Sequence, residues 1–379
     1  MEELFGTKKL GFGCMRLPLT GPAADPASQV DYEKTCRMVD DFLAAGFCYF
    51  DTAHGYLNGK SETALRHCLT SRYPRERYLL ADKLSNGFFK SEAEIRPLFF
   101  SQLEACGVDY FDFYLMHAMN AEYYPKYCAC NAFAVARQLK AEGRIRHIGI
   151  SFHDKPALLE RILSEQPDIE VVQIQFNYAD YDSPSVESRA LYEICRRFQK
   201  PVIVMEPVRG GALANLPPQA AGAFAGMESS PAGYALRFAA SFEGVCMVLS
   251  GMSAPAQMEE NLGLFRDFRA LSPREWQAVS DARRALAGLK SIGCTGCRYC
   301  VDGCPKAISI PELFACANSR NLFQDPGAAT YYNICTRSGH GKAKDCIGCG
   351  KCEASCPQHL PIRQLLAQVS AQFDAPAKE

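Results

Sequence analysis

"FCYFDTAHGY" at residues 47–56 joins a short apolar run to a polar turn, and the chain repeats the arrangement. "YLLADKL" (78–84) and "YFDFYLMH" (110–117) are built alike: each apolar run closes on a side chain able to carry or move a proton. "IRHIGIS" (145–151), "VVQIQF" (171–176), "PVIVME" (201–206) and "VCMVLS" (245–250) follow. Most of these runs are continuously apolar rather than alternating, as parallel strands covered by helices are. Helical patterns over 60–69, 91–106, 131–142, 155–164, 185–199 and 231–240 separate them. Seven such strands exceed what a small open sheet needs, and "LFRDFR" (264–269) is the candidate for a short eighth. The economical fold class is α/β, a (β/α)8 TIM barrel. A doubly wound sheet is the rival, but no G-x-G-x-x-G turn follows an early strand. Residues 4–17, "LFGTKKLGFGCMRL", read as a hairpin ahead of the barrel. "LSPREWQAVSDARRAL" (271–286) reads as a helix leading out of it, with Ser272 and Pro273 at the cap and Glu275 at the third helical position. The expected division is 1–286 for the barrel with its hairpin and 287–379 for a second domain.

Bulk properties exclude several classes. Lys and Arg number 41 against 42 Asp and Glu, a net charge of -1 with no basic block, which gives no electrostatic reason to expect nucleic acid. No apolar run approaches the roughly 20 residues that cross a bilayer, and "MEELFGTKKLGFGC" does not read as a signal peptide. The expectation is a cytoplasmic protein with no membrane partner. Its 19 cysteines are an odd total in a chain without an export signal, which argues against a disulfide framework. Nine are scattered and read as small apolar core residues. The other ten all follow residue 293.

Eight of those ten form two copies of one pattern, "CTGCRYCVDGCP" (294–305) and "CIGCGKCEASCP" (346–357). A structural zinc site takes two neighbouring cysteines and then a distant pair. The complete C-x2-C-x2-C-x3-C-P run has its precedent in [4Fe–4S] ferredoxins, where the fourth cysteine ligates the other cluster of the pair. Two [4Fe–4S] clusters are therefore expected, with crossed ligands: Cys294, Cys297, Cys300 and Cys356 for one, Cys346, Cys349, Cys352 and Cys304 for the other. Crossing ties the halves of the domain together, so loss of iron should unfold it. Cys316 and Cys335 have no partner at ligand spacing and are left as spare thiols. The helices of this region resemble the helical two-cluster domains of redox enzymes.

The strand ends carry the remaining chemistry. Asp51, Lys83 and His117 close the first three runs, and Tyr56 lies five residues beyond Asp51. C-terminal strand ends line the mouth of a barrel. A tyrosine there can give up a proton, a lysine can lower its pKa, an aspartate can hold the lysine, and a histidine can orient what is protonated.

In this order the residues resemble the aldo-keto reductases. The likeness spans about residues 4–290 and rests on "GFGCMRLP", "FDTAHGYLNGKSE", "DKL", "LMH", "GISF", "VQIQFNY", "MEPVRGG" and "SGMSAPAQMEENL", which occur in the family's order. The resemblance implies Tyr56 as general acid, Lys83 and Asp51 as its tuners, and His117 as the residue orienting a carbonyl. It implies NADPH or NADH at the barrel mouth, with Ser151 and Gln173 at the carboxamide, Met15, Arg16, Pro207, Val208 and Gly210 along the dinucleotide, and Glu260 and Asn261 at the adenine end. Met205 stands where the family usually stacks an aromatic ring on the nicotinamide. Gly251 and Gln257 stand where NADPH-dependent members carry Lys and Arg for the 2′-phosphate, so a strong NADPH preference is not expected. Arg209 would reach the pyrophosphate. With its cysteine motifs, the whole chain looks like an aldo/keto reductase protein bearing a C-terminal 4Fe-4S domain.

A nicotinamide delivers two electrons as hydride and a cluster accepts one, so joining them calls for a flavin or a partner flavoprotein or ferredoxin between. The leading expectation is a carbonyl reductase whose clusters transfer electrons or support structure. One alternative is a cluster-driven or flavin-bridged reductase whose tetrad supplies protons, and another is a non-catalytic electron carrier or binding protein. His117 favours a carbonyl over a C=C bond. Tyr123, Tyr124 and Tyr127 would either line a pocket for a carbonyl or aromatic small molecule or cover the cluster domain.

Overall fold

The computed structural model describes residue 5 and residues 8–21, 28–183, 186–289, 291–323, 328–336 and 339–374. The chain divides into two compact units. The first comprises Met1–Asn177, Glu187–Pro207 and Gly233–Ser272, and the second Tyr178–Val186, Val208–Ala232 and Pro273–Glu379.

The first unit holds eight strands: β1 (Leu10–Gly13), β2 (Tyr49–Asp51), β3 (Leu79–Leu84), β4 (Phe111–Met119), β5 (Ile145–Phe152), β6 (Val171–Gln175), β7 (Val202–Met205) and β8 (Val245–Ser250). They close into one barrel in sequence order, each parallel to the next, with β8 returning to β1. The TIM barrel is as expected, but its first and last strands are not. Residues 10–13 are a barrel strand rather than part of a hairpin, and "VCMVLS" is the eighth strand rather than the seventh. "LFRDFR" begins in the last turns of a helix, Pro255–Arg266. Glycine explains the misreading of β1. A Cβ on Gly11 would lie 2.7 Å from Leu249 and 3.1 Å from both Met247 and Tyr49, so only a residue without a side chain lets this strand close the barrel.

Register decides which residues face the interior. Tyr49 pairs with Leu79, Ala81 with Phe113, Gly149 with Val171, Gln173 with Ile203, and Gly11 with Leu249. Odd-numbered positions thus stay on one face from strand to strand, because side chains alternate along each strand. Tyr49, Ala81, Phe113, Leu115, Val171, Ile203, Met247 and Leu249 form the interior core with Phe5, whose ring stacks on Phe113 at 5.0 Å. The even positions meet the surrounding helices. The helix Tyr32–Ala44, which the sequence reading passed over, buries Thr35, Met38, Val39, Phe42 and Leu43. That spacing is an amphipathic stripe, and Phe42 lies 5.2 Å from the outward ring of Phe50. Asp31 caps the helix by accepting the Lys34 amide at 3.0 Å.

The second unit is helical: Pro273–Ala287, Ile310–Phe323, Ala328–Cys335 and Ile362–Phe373 are its main helices. Leu313, Phe314, Ala317, Tyr332, Leu366 and Val369 form its core, with Cys300 and Cys352 buried among them. No helix among the described residues is long and apolar enough to cross a membrane.

The barrel interior has no room at Gly149, where a Cβ would lie 2.5 Å from Leu115, 2.5 Å from a Val171 methyl and 2.8 Å from the Val171 carbonyl oxygen. Gly149→Ala is expected to destabilise the barrel by about 1–3 kcal/mol, read as a lower urea midpoint. Gly87→Ala, at an open and exposed position without a left-handed φ, serves as the surface comparison.

Candidate active site and cysteine cavities

Asp51, Lys83, His117, Ser151, Gln173 and Met205 all hold odd positions at or near the C-terminal ends of their strands. The alternation that fills the interior with apolar groups therefore turns these side chains inward at the mouth. Lys83 is fully buried. Its Nζ donates to Asp51 Oδ1 at 2.5 Å and to the Thr52 carbonyl at 2.6 Å, and lies 4.8 Å from the centre of the Tyr56 ring. Gln173 Nε2 donates to the second Asp51 oxygen at 3.0 Å. The Tyr56 and His117 rings meet edge to face at 5.8 Å, and Ser85 Oγ lies 2.6 Å from His117 Nδ1.

Two local devices aim His117. β4 slips register between Met116 and Met119, and Ala118 takes a left-handed φ of 54° within the slip. The Ala118 amide donates to Ser151 Oγ at 2.8 Å. A bulge of this kind re-aims a side chain at a sheet rim. Below it, the buried Tyr127 hydroxyl donates to the carbonyls of Leu84 at 2.6 Å and His117 at 3.0 Å, lashing β3 to β4. The Tyr127 hydroxyl is thus taken up by the barrel's own backbone. Tyr124, also buried, donates to Glu165 at 2.6 Å.

Burial, followed by the carboxylates of Asp51 and Asp82, pushes Tyr56 well above the ordinary tyrosine pKa. The sequence reading had Lys83 pulling it down. In the fold the ammonium is already matched by Asp51, so desolvation decides. Burial, Lys83 and His153 push His117 well below its usual value. At neutral pH the pair is a protonated phenol beside a neutral imidazole.

The loop carrying Tyr56 is strained and clamped. Leu57, Asn58 and Gly59 all take left-handed φ, at 53°, 54° and 81°, at a cost of about 1–2 kcal/mol for a residue such as Leu57. Thr52 Oγ1 and Ser61 Oγ share a hydrogen bond of 2.8 Å, and Ser61 Oγ donates to the Cys14 carbonyl at 2.9 Å. His54 Nδ1 lies 3.0 Å from the buried Glu62 carboxylate. Gln102 Nε2 donates to Glu62 at 3.3 Å and to the Lys83 carbonyl at 3.0 Å. Burial and Glu62 raise the Asp82 pKa well above the ordinary carboxylate value. None of Ser85, Thr52, Ser61, His54, Glu62 or Asp82 was singled out from sequence. Only Asp82, a charge inside an apolar run, left a visible signal.

The expected dinucleotide residues divide between the units. In the first, Met15 and Arg16 lie in the turn Cys14–Arg16 that follows β1. The stem of Arg16 covers Gly251, within 3.5 Å of where a Cβ would stand. Gln257 accepts the Ser253 amide at 2.8 Å, Asn261 donates to Ser250 Oγ at 3.0 Å, and Glu260 is an exposed residue of the helix Pro255–Arg266. Met205 ends β7, Pro207 is buried just beyond it, and Ser151 and Gln173 bond Ala118 and Asp51 as described. Val208, Arg209 and Gly210 belong to the second unit. There Arg209 forms an ion pair of 3.1 Å with the buried Asp180 and packs so closely on Gly293 that a Cβ there would sit 2.7 Å from Nη2. A Cβ on Gly210, whose φ is 65°, would come within 2.0 Å of the Thr295 carbonyl oxygen. Thus Arg209, expected at a pyrophosphate, is held by Asp180.

The eight motif cysteines surround two cavities. One, of about 310 Å³, is lined by Cys294, Cys297, Cys300 and Cys356. The other, of about 320 Å³, is lined by Cys304, Cys346, Cys349 and Cys352. Each takes three thiols from one motif and the fourth from the other. Among the described residues no three His, Cys, Asp or Glu side chains converge as a single metal ion needs. Cys316 is buried in the core beside them, with Cys335 packed against it.

Comparison with known proteins gives this arrangement its relatives. The description "Aldo/keto reductase family" matches residues 9–284, and "4Fe-4S dicluster domain" matches residues 293–360. The chain belongs to the aldo/keto reductase family. An aldo-keto reductase of Mycolicibacterium smegmatis is 36% identical over 36% of this chain and 47% of its own length. One from Mycobacterium sp. strain JLS is 28% identical over 71% of this chain and 92% of its own. The NADH-specific methylglyoxal reductase of Escherichia coli is 25% identical over 55% of this chain and 68% of its own. Among solved structures, a holo aldo-keto reductase from Bacillus halodurans aligns at a TM-score of 0.60 with 24% identity, covering 72% of this chain and 91% of its own. One from Klebsiella pneumoniae in complex with NADPH aligns at 0.57 with 19% identity, covering 72% and 89%. For this aldo/keto reductase the solved structures show the barrel fold.

Its buried ion pair has a measurable signature. Lys83→Met leaves Asp51 desolvated without its cation and is expected to cost about 3–5 kcal/mol. The double variant Lys83→Met/Asp51→Leu should recover part of that loss in urea denaturation.

Proposed function

We propose that this aldo/keto reductase uses NADPH or NADH to reduce the carbonyl of a small aldehyde or ketone, with Tyr56 as proton donor, and that its second unit holds two [4Fe–4S] clusters. The observation that carries the reading is the buried Lys83 ammonium, bonded to Asp51 and set 4.8 Å from the Tyr56 ring.

A bound nicotinamide supplies hydride to the carbonyl carbon. Tyr56, held protonated by its burial, gives its hydroxyl proton to the oxygen as charge builds there. The product is an alcohol and a tyrosinate whose charge faces Lys83. His117 is neutral, so it orients the carbonyl by a hydrogen bond rather than as a cation. With the Ser85 hydroxyl donating into Nδ1, the ring proton sits on Nε2 and points its donor at the substrate oxygen. Gln173 and Thr52 hold Asp51 and Lys83 in place and need not touch substrate.

Either dinucleotide is compatible with this reading. Gly251 and Gln257 bring no cation, while Arg16 stands over Gly251. The relatives named above include an NADH-specific enzyme and an NADPH complex.

The thiols fit the clusters. Each cavity has four cysteines and apolar walls, Ile308 and Leu366 in one, Phe314 and Ile362 in the other. A cluster would supply one-electron transfer there. A second reading, in which these electrons reach the reaction through a flavin or a partner flavoprotein, is favoured by the close approach of Gly210 to Thr295. That contact joins the loop after β7 to the first cysteine motif within one unit.

Tyr56→Phe is expected to lower kcat for carbonyl reduction by about 10²–10⁴-fold with dinucleotide affinity unchanged, and undiminished turnover would sink the reading. The cluster ligation has its own test in iron content and the EPR of the reduced protein. Cys304→Ser should damage the same signal as Cys346→Ser, and Cys356→Ser the same signal as Cys294→Ser. Pairing of each fourth cysteine with its own motif would refute the crossed ligation.

A further inference from the structure

The surroundings of the two cysteine cavities differ, and the difference supports an inference that rests on the two-cluster reading. Around Cys294, Cys297, Cys300 and Cys356 the polar groups are engaged. Arg298 is paired with Glu312, Thr295 and Gln358 are buried, and the Thr295 carbonyl is covered by Gly210. The other cavity opens on solvent. Cys349 is exposed, and Ile347, on the same cavity wall, is 60% exposed. Few large apolar side chains of the described residues are left so bare.

Around that apolar spot the charge is positive. Lys306 and Arg363 line the cavity, and the exposed Lys344 and Lys351 stand on the segment that carries Cys346 and Cys352. The acidic residues at this face are Asp302, Asp345, Glu353 and Asp374. Three of them are engaged locally, Asp374 by accepting the Lys344 amide at 3.1 Å. Glu353 pairs with Arg363 at 2.8 Å, and Asp345 accepts the Lys342 amide at 2.8 Å. No ion pair among the described residues engages Lys306, Lys344 or Lys351.

We propose that this face is where a small acidic one-electron carrier protein docks and passes electrons to the cluster of Cys304, Cys346, Cys349 and Cys352. A bare apolar centre with lysines held in no ion pair around it suits a brief electron-transfer encounter, which buries little area and depends on charge for its approach. The balance is simple. Each docking event oxidises the reduced carrier by one electron and reduces the cluster by one, with no bond made and no proton moved, and two events supply an electron pair. A partner of opposite charge is steered to the port.

The test uses the full-length, iron-loaded protein under anaerobic conditions, mixed with a dithionite-free, reduced acidic [2Fe–2S] ferredoxin in stopped flow. Cluster reduction should slow as salt rises. It should also slow about tenfold or more at low salt in Lys344→Glu/Lys351→Glu, and slow in Ile347→Asn. Direct reduction by dithionite, together with iron and sulfide content, should match the unaltered protein in all variants. Rates indifferent to salt and to the substitutions would overturn the proposal, as would failure of the ferredoxin to reduce clusters that dithionite does reduce. Self-association abolished by Ile347→Asn would assign the face to a second copy of the chain instead. Absence of cluster iron and of a dithionite-induced EPR signal in the unaltered protein would overturn the two-cluster reading itself, and the port with it.

Discussion

An ammonium group with no access to water cannot be left unmatched, and at the barrel mouth that constraint organises everything near it. Lys83 is satisfied by one Asp51 oxygen and the Thr52 carbonyl, and the other Asp51 oxygen is satisfied by Gln173. Three strands, β2, β3 and β6, are thereby tied at one point. Burial and then the Asp51 carboxylate raise the pKa of Tyr56, so the tyrosine keeps its proton. Removal of either Lys83 or Asp51 would leave a lone buried charge, which makes the site and the stability of the mouth one problem.

The tyrosine itself sits on backbone that would not hold its shape alone. Three successive left-handed residues follow it, two of them with side chains. The Thr52–Ser61–Cys14 bonds and the His54–Glu62 contact close the loop from both ends. Strain at a functional residue persists where its surroundings over-determine it. Glu62, which meets both His54 and Gln102, anchors that loop from behind the mouth.

The second unit depends on its thiols. Cys300 and Cys352 sit within its apolar core, and Ile310 lies on the wall of both cavities. With cysteines set into that core, ligation of a metal–sulfur body would supply folding energy directly. The crossed arrangement means that neither motif completes its cavity without the other.

Much of this was legible in the chain. The apolar runs located seven of the eight strands, and their polar last residues, Asp51, Lys83 and His117, located the mouth. Cysteine spacing foretold which thiols would share a cavity, because three ligands at intervals of three must lie together and the fourth is left to reach across. The legible features are local: a run, a spacing, a terminal residue. β1 was read as a hairpin because its glycines look like turn residues until Leu249, Met247 and Tyr49 are seen pressing on Gly11. The ion pair of Arg209 with Asp180 was not legible either, because the two lie 29 residues apart. Tyr127 looked like a pocket wall, and it bonds two carbonyls from different strands. The sequence by itself determined the periodicities and the ligand spacing, since both are properties of neighbouring residues. Only the tertiary structure decided partners and protonation, since a buried charge, a close-packed glycine or a desolvated phenol is defined by groups far away in the chain.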